Sequence, residues 1–190
     1  MTLGSVAGPA DATVTCRPAR RDDLRAVTTV HVRAWQRAYR GILPQHHLDS
    51  LDIDEAVNRR AERWPWPGSH IAELDGAVAG WLAIGPYRGA DAPPGSGEIY
   101  ALYVDPDHWA RGVGTALMSY GLPLLAAMGL RPVFLWVLRD NARAQRFYLH
   151  HGFVADGAEE GYEAGGATVP EVRYRHDVPT DLLEPAVGPS

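Results

Sequence analysis

The feature that most constrains this chain is a strand-to-helix turn that carries two glycines. Residues 98–104 are an apolar run typical of a buried strand, and Gly112-Val113-Gly114 opens a helical segment soon after it. The first N–H groups of a helix have no intrahelical partner, and the helix dipole adds positive potential there. Glycines without Cβ atoms let a phosphate approach, and Arg111 adds charge. The turn predicts an anion site, although a plain strand-to-helix turn would show the same two glycines.

Two common phosphate loops do not fit this turn. A P-loop needs Gly-Lys followed by Ser or Thr, and no such sequence follows here. The dinucleotide fingerprint needs a third glycine three residues after the second, and Leu117 occupies that position. If the turn binds phosphate, it belongs to another class of site.

The hydrophobic periodicity predicts further elements around the turn. Asp75-Gly76 between two apolar runs is typical of a hairpin. We expect six strands, over residues 13–17, 70–74, 78–84, 98–104, 133–138 and 169–176. We also expect helices from residue 21 to before 44, from 52–55 to before 65, over 112–128 and over 141–150. The strand–helix–strand crossover at 98–138 adds a parallel pair to antiparallel ones. The predicted fold is therefore an α/β sheet with helices on both faces.

One residue conflicts with the predicted helix over 112–128. Pro123 lies inside it, close to Gly121, and an internal proline costs about 3 kcal/mol or more because it removes a backbone hydrogen bond. We expect a kink or break near Gly121. That point is more than one turn from the helix N-terminus, so the anion site is expected to survive.

The chain as a whole is predicted to be one globular domain. Its 190 residues favour a single domain over residues 14–178, with flexible tails over 1–13 and 179–190. A formal net charge of −5 argues against nucleic-acid binding and favours a cationic partner. No signal peptide or membrane span is predicted, so we expect a cytoplasmic protein with no membrane partner.

The turn resembles motif A of the GNAT superfamily of N-acetyltransferases, whose loop reads Arg/Gln-x-x-Gly-x-Gly/Ala. Residues 109–114 occupy that frame; both glycines match, and Trp109 replaces the family's Arg or Gln. The resemblance implies an α/β GNAT fold, with a central mixed, mostly antiparallel sheet flanked by helices on both faces. It also implies that main-chain groups bind coenzyme A. The pyrophosphate would lie on Arg111, Gly112, Val113, Gly114 and Thr115, and the pantetheine arm would pair with Leu102, Tyr103 and Val104 like an added strand.

A second segment, residues 138–153, resembles motif B of the same family. Asn, Arg-Ala, Phe-Tyr and Gly-Phe recur there at the family's spacing. Asn141 suits a helix N-cap, and Tyr148 lies two turns later on the same helix face. In the family the matching Asn contacts coenzyme A, and the matching Tyr lies near its sulfur and can protonate the leaving thiolate. A capping Asn and a Tyr packed in the core are the alternative interpretation.

The resemblance implies an acetyl-CoA-dependent N-acetyltransferase that acts on a primary amine by direct attack. Glu98 is the candidate general base, since many family members place a carboxylate on this strand; an exposed strand-end glutamate is the alternative. Tyr148 is the candidate acid. Main-chain N–H groups where the strands splay, near residues 102–104, could polarise the thioester carbonyl.

The acceptor pocket is predicted to be aromatic. Candidate walls are Trp35, Tyr39 and Tyr87, with Trp64, Trp66 and Trp81 as further candidates. We expect a small-molecule or peptide amine as acceptor and no metal. The family resemblance also implies that a homodimer is compatible with this chain. The rival functions are a non-catalytic acyl-CoA-binding sensor or regulatory module, a transferase for longer acyl chains, and an interaction domain.

Overall fold

A computed structural model of the chain describes residues 13–64 and 66–177. In these residues seven strands form one sheet in the order β1-β2-β3-β4-β5-β7-β6. The strands are β1 (Val14–Pro18), β2 (Ser69–Leu74), β3 (Ala77–Pro86), β4 (Gly97–Val104), β5 (Val133–Leu138), β6 (Val154–Ala164) and β7 (Ala167–His176). The β4–β5 pair is parallel and the other neighbours are antiparallel. The predicted mixed, mostly antiparallel sheet is confirmed.

Five α-helices accompany the sheet in the described part of the chain. They are α1 (Leu24–Ala38), α2 (Gln45–Asp49), α3 (Ile53–Ala61), α4 (Val113–Ala127) and α5 (Ala142–His150). The sequence analysis missed α2 and β6. Strand β6 carries mostly exposed small and acidic residues without apolar alternation, so it has no periodic signal and depends on its pairing with β7. The predicted tails lie outside the described residues, apart from Thr13.

Helices α1 and α4 pack on opposite faces of β3 and β4. Alternate residues of a strand point to opposite faces, and Trp81 of β3 contacts His31 of α1 while its neighbour Leu82 lies under α4. A Cβ atom on Gly121 would lie 2.6 Å from Leu82 Cδ2, and one on Gly80 would lie 2.8 Å from Val113 Cγ1. These two glycines let α4 lie close to the sheet.

Helix α4 continues through Pro123 to Ala127, so it does not break near Gly121; the kink expected as the alternative stays a prediction. Leu117 lies before the proline and Leu125 after it, and both are completely buried in the same core cluster. Burial on both sides of the proline holds the helix together despite the missing hydrogen bond.

The sheet opens between its two central parallel strands. Strands β4 and β5 pair only at Gly97 with Val133 and at Glu98 with Phe134. Strand β3, by contrast, stays paired with β4 as far as Val104. Beyond Glu98, one main-chain edge of β4 therefore faces a gap in the sheet.

Leu117→Ala tests the packing of α4 on the sheet. The side chain is fully buried, so its truncation should lower the free energy of unfolding by about 2–5 kcal/mol through lost burial and a residual cavity. Leu149→Ala is the matched control, because Leu149 is 52% exposed and its loss should change stability by less than about 0.5 kcal/mol. Chemical denaturation of both variants measures the difference, and equal losses would contradict this packing.

Candidate active site

A cavity of about 710 Å³ lies where β4 and β5 part. It is lined by β4, β5, the N-terminus of α4, α5, one face of α1, and side chains of β6 and β7. Most of the residues predicted from sequence line it together: Trp35, Tyr39, Glu98, Leu102, Tyr103, Val104, Gly112, Val113, Gly114, Thr115, Asn141 and Tyr148. Arg111 and Tyr87 lie outside this lining, as do Trp64 and Trp66 among the further wall candidates.

The turn before α4 presents a row of free main-chain donors. Gly112 is the N-cap residue of α4 with φ of +80°, and Ala110 also has a positive φ, of +61°. The first helical bond runs from the Ala116 N–H to the Gly112 carbonyl, at 2.9 Å. The N–H groups of residues 111–115 donate to no residue that the structure describes. Free N–H groups at a helix N-terminus form an anion site.

The two glycines of the turn meet different requirements. A Cβ atom on Gly112 would have nothing within 4 Å, so its left-handed φ is what requires glycine. A Cβ atom on Gly114 would lie 3.2 Å from the Phe147 ring. Gly114 therefore lets α4 and α5 approach each other, and the main chain between them stays uncovered.

The positive side chain at this end of the cavity is Arg143. Its guanidinium carbon lies 3.5 Å from the centroid of the Trp109 ring, and both residues line the cavity. The Trp109 Nε1 donates to the Val104 carbonyl at 3.0 Å. Arg111 instead pairs with Asp75 in the β2–β3 turn, at 3.3 Å. The sequence could have indicated Arg143, because it lies in the first turn of α5, within the segment over 138–153 that resembles motif B.

Helix α5 carries the two residues predicted from motif B. The Asn141 side chain accepts a hydrogen bond from the Ala144 N–H at 3.1 Å, which confirms the predicted N-cap. Tyr148 is 8% exposed and its hydroxyl makes no hydrogen bond to a described residue. Burial raises the pKa of Tyr148 well above its ordinary value. The phenol therefore keeps its proton at neutral pH and has no acceptor for it within residues 13–64 and 66–177.

Glu98 is a paired, buried carboxylate. It is 3% exposed, so it is not the exposed strand-end glutamate of the alternative interpretation. The Arg88 Nη2 donates to Glu98 Oε1 at 2.6 Å, and the Arg88 main-chain N–H and Nε donate to Oε2 at 3.0 and 3.2 Å. Three donors from one residue therefore hold this carboxylate in place.

The wall beneath α1 is aromatic and neutral. Ring contacts between 4.8 and 6.0 Å connect residues of α1, β3 and β4, namely His31, Trp35, Tyr39, Trp81 and Tyr103. Burial, with a contribution from the charge of Arg60, lowers the pKa of His31 to about 3. Trp64 and Trp66 lie outside the cavity lining, and the Arg60 guanidinium lies 5.3 Å from the Trp66 ring and 4.7 Å from the Trp81 ring.

Tyr87 belongs to an ion-pair cluster instead of the cavity. Arg173, which is 8% exposed, donates to the Tyr87 hydroxyl at 2.8 Å and to Asp91 at 2.6 Å. Arg173 also pairs with Asp156 at 2.8 Å. These contacts tie the loop after β3 to β6 and β7.

Three residues that line the cavity were not predicted: two lie on β6, which was missed, and one lies on β7, which was predicted as a strand. Glu160 and Tyr162 of β6 line the cavity, and so does Glu171 of β7. Burial and, to a lesser extent, the nearby Glu160 raise the pKa of Glu171 to about 7.

Residues 13–64 and 66–177 contain no group of three His, Cys, Asp or Glu side chains placed to hold a metal ion. Within the same residues, no helix has both the length and the apolar character needed to cross a membrane.

Sequence comparisons relate this chain to known proteins. The sequence model of the Acetyltransferase (GNAT) family matches residues 30–153. The uncharacterized N-acetyltransferase YuaI of Bacillus subtilis (strain 168) is 29% identical over 161 residues, which are 84% of this chain and 90% of YuaI. A mycothiol acetyltransferase of Clavibacter michiganensis subsp. michiganensis (strain NCPPB 382) is 39% identical over 121 residues, 62% of this chain. The chain spans only 36% of that second relative.

Solved structures agree on the fold. The PaiA N-acetyltransferase of Thermoplasma acidophilum, solved in complex with coenzyme A, superposes with a TM-score of 0.65 at 18% identity. The match covers 87% of this chain and 99% of that one. The family match spans the turn before α4 and all of α5, the two segments that carry the predicted cofactor residues. This chain therefore belongs to the acetyltransferase (GNAT) family and has its fold.

Proposed function

We propose that this protein transfers the acetyl group of acetyl-CoA to a primary amine by direct attack of the amine on the thioester. The observation that carries this proposal is the cavity between the parted strands. Main-chain donors of residues 112–115 lie at its helix end, and the Tyr148 hydroxyl, which makes no hydrogen bond to a described residue, lines the same space. A site that binds both a diphosphate and a thioester needs this combination.

The residues present suit a coenzyme A diphosphate. The N–H groups of residues 111–115 would bind it, since they are unpaired and lie at the positive end of the α4 dipole. Arg143 adds a positive side chain on the same side of the cavity. The open edge of β4 over residues 102–104 would pair with the pantetheine arm; there the Val104 carbonyl already accepts from Trp109. When bound, acetyl-CoA supplies an activated acyl group.

The chemistry requires an acid, a neutral amine and an oriented carbonyl group. Tyr148 is the acid, because its buried phenol holds a proton that no described residue accepts. The open edge of β4 supplies N–H groups for the thioester carbonyl. Glu98 remains the base predicted from sequence, and its place in the cavity lining supports that role. However, Glu98 accepts three hydrogen bonds from Arg88, and these favour a second role for Glu98, in which it holds Arg88 in position.

The acceptor would lie against the aromatic wall of α1 and β4. Trp35 and Tyr39 line the cavity there, as predicted for the acceptor pocket. Neutral aromatic surfaces accommodate the apolar part of an amine and can contact its cation. We propose a small-molecule or peptide amine as the acceptor. The homodimer and the cytoplasmic location stay predictions.

Gly112→Ala tests the main-chain anion site. Alanine at a left-handed φ of +80° should destabilise the fold by about 1–2 kcal/mol and shift the turn, so affinity for coenzyme A should fall at least tenfold. Gly129→Ala is the matched control: its φ is +74°, a Cβ atom there also meets nothing within 4 Å, and it follows the other end of α4. Calorimetry should show unchanged affinity for Gly129→Ala. Equal affinities in the two variants would contradict the proposed diphosphate site.

Tyr148→Phe tests the acid. Removal of the hydroxyl should lower kcat about 10²–10⁴-fold in an acetyl-CoA assay over an amine panel, while the Kd for coenzyme A stays within about twofold. Tyr120→Phe is the control, because Tyr120 lies on α4 outside the cavity lining. Wild-type kcat in Tyr148→Phe would contradict the assignment. Coenzyme A binding by the wild type without turnover of any amine would favour the sensor function instead.

A further inference from the structure

Two acidic side chains on neighbouring strands line the cavity. Glu160 of β6 and Glu171 of β7 are direct cross-strand neighbours. Both line the cavity, and neither side chain makes an ion pair or hydrogen bond with a described residue. Residues directly opposite on antiparallel strands have Cβ atoms about 4.5–5.5 Å apart, and like charges in this position repel. Glu160 is exposed and Glu171 is half-buried, so both carboxylates stand on the cavity wall within reach of a cationic ligand.

We propose that Glu171 is the general base that takes a proton from the acceptor ammonium, and that Glu160 helps to hold this cation in the cavity. This assignment rests on the proposed function. It replaces Glu98 in the role of base and leaves Tyr148 as the acid.

The proton balance of one turnover follows directly. The Glu171 carboxylate takes one proton from the ammonium, and the nitrogen lone pair forms the N–C bond to the thioester carbon. The C–S bond breaks, and the sulfur takes the Tyr148 proton. The acetylated nitrogen then gives up its second proton, which restores the Tyr148 hydroxyl through water. Glu171 releases its proton to solvent, so one proton leaves for each amide formed.

The surroundings of Glu171 keep the carboxylate reactive. Burial and then neighbouring charges, that of Glu171 among them, raise the pKa values of Tyr39 on α1 and Tyr162 on β6, so Glu171 lies close to both. Burial also raises the pKa of Tyr103 on β4, with a smaller contribution from the charge of Glu171. Leu138 of β5 is the apolar cross-strand neighbour of Glu171. With burial and Glu160 raising its pKa to about 7, the carboxyl group exchanges a proton readily at neutral pH.

The remaining charged and titratable groups lining the cavity leave Glu171 unpaired. Arg88 pairs with Glu98, and its charge also interacts with Glu160. Arg143 lies over Trp109 at the α4 end. The full set of such groups besides the tyrosines is His31, Arg88, Glu98, His108, Arg143 and Glu160. Of these, Glu160 acts on the pKa of Glu171 through its charge. No described cation therefore neutralises Glu171, whereas Glu98 has its Arg88 partner.

The test compares single Glu→Gln variants on the two strands. Coenzyme A release from acetyl-CoA is measured from pH 5.5 to 9.5 with an aromatic monoamine, an aliphatic diamine and a peptide with a free N-terminus. Glu171→Gln should lower kcat/KM at pH 7.5 at least about 10²-fold and lose the rise through pH 7 that the wild type shows. Glu160→Gln should raise KM more than it lowers kcat. Glu159→Gln, which alters an exposed β6 residue paired with Arg139 outside the cavity, is the matched control and should be unchanged.

Glu98→Gln decides between the two carboxylates. A loss confined to Glu98→Gln, with a wild-type profile in Glu171→Gln, would overturn the assignment and leave the proposed function intact. Absence of turnover with every amine would overturn the proposed function itself.

Thermal unfolding supplies a readout that needs no acceptor. The pKa of Glu171 in the folded protein is about 7, above its ordinary value of 4.5. Between these two pH values the folded wild type binds more protons than the unfolded chain, so its stability falls as pH rises through 7. Glutamine does not titrate, so the Tm of Glu171→Gln minus that of the wild type should increase from pH 5 to pH 8. A difference that stays constant with pH would show a paired or solvated carboxylate and contradict the proposal.

Discussion

The site depends on the point at which strand β4 stops pairing with β5, because from there on one main-chain edge of β4 is open. The two strands share only the pairs Gly97–Val133 and Glu98–Phe134, and past this point β4 is held by β3 alone. Unpaired main-chain groups inside a protein carry an energetic cost, so an open strand edge of this kind is retained where a ligand completes it. The cavity and the open main-chain edge that lines it both follow from this separation of the strands.

The cavity is lined by groups of opposite electrostatic character. At the N-terminus of α4, N–H groups of residues 111–115, the α4 dipole and Arg143 favour an anion. Near Tyr39 and Tyr162, Glu171 and its neighbour Glu160 favour a cation. Tyr148 also lines the cavity, and its hydroxyl makes no hydrogen bond to a described residue. This polarity matches a reaction in which an anionic thioester carrier meets a cationic amine, with both reacting groups oriented by one rigid sheet.

The sequence predicted the parts of the site that have local signatures. A strand, a turn with two glycines and an N-capped helix are recognisable because each depends on a few adjacent residues. Side-chain pairing was not recognisable in this way: Arg111 pairs with Asp75, and Glu98 with Arg88, through contacts that only the folded chain creates. Strand β6 lacks apolar alternation, so Glu160 and Tyr162 were missed, and with them the pairing that puts Glu171 of β7 beside Glu160. Helix α4 does not break near Gly121, because burial on both sides of Pro123 outweighs one lost hydrogen bond.

The most direct test of this account is amide hydrogen exchange of the protein with and without saturating coenzyme A. The account predicts that the amides of residues 111–115, which have no described acceptor in the free protein, exchange at least about tenfold more slowly in the complex. Slower exchange over residues 102–104 should accompany it. Tight binding of coenzyme A with unchanged exchange at residues 111–115 would contradict the claim that this turn holds the diphosphate.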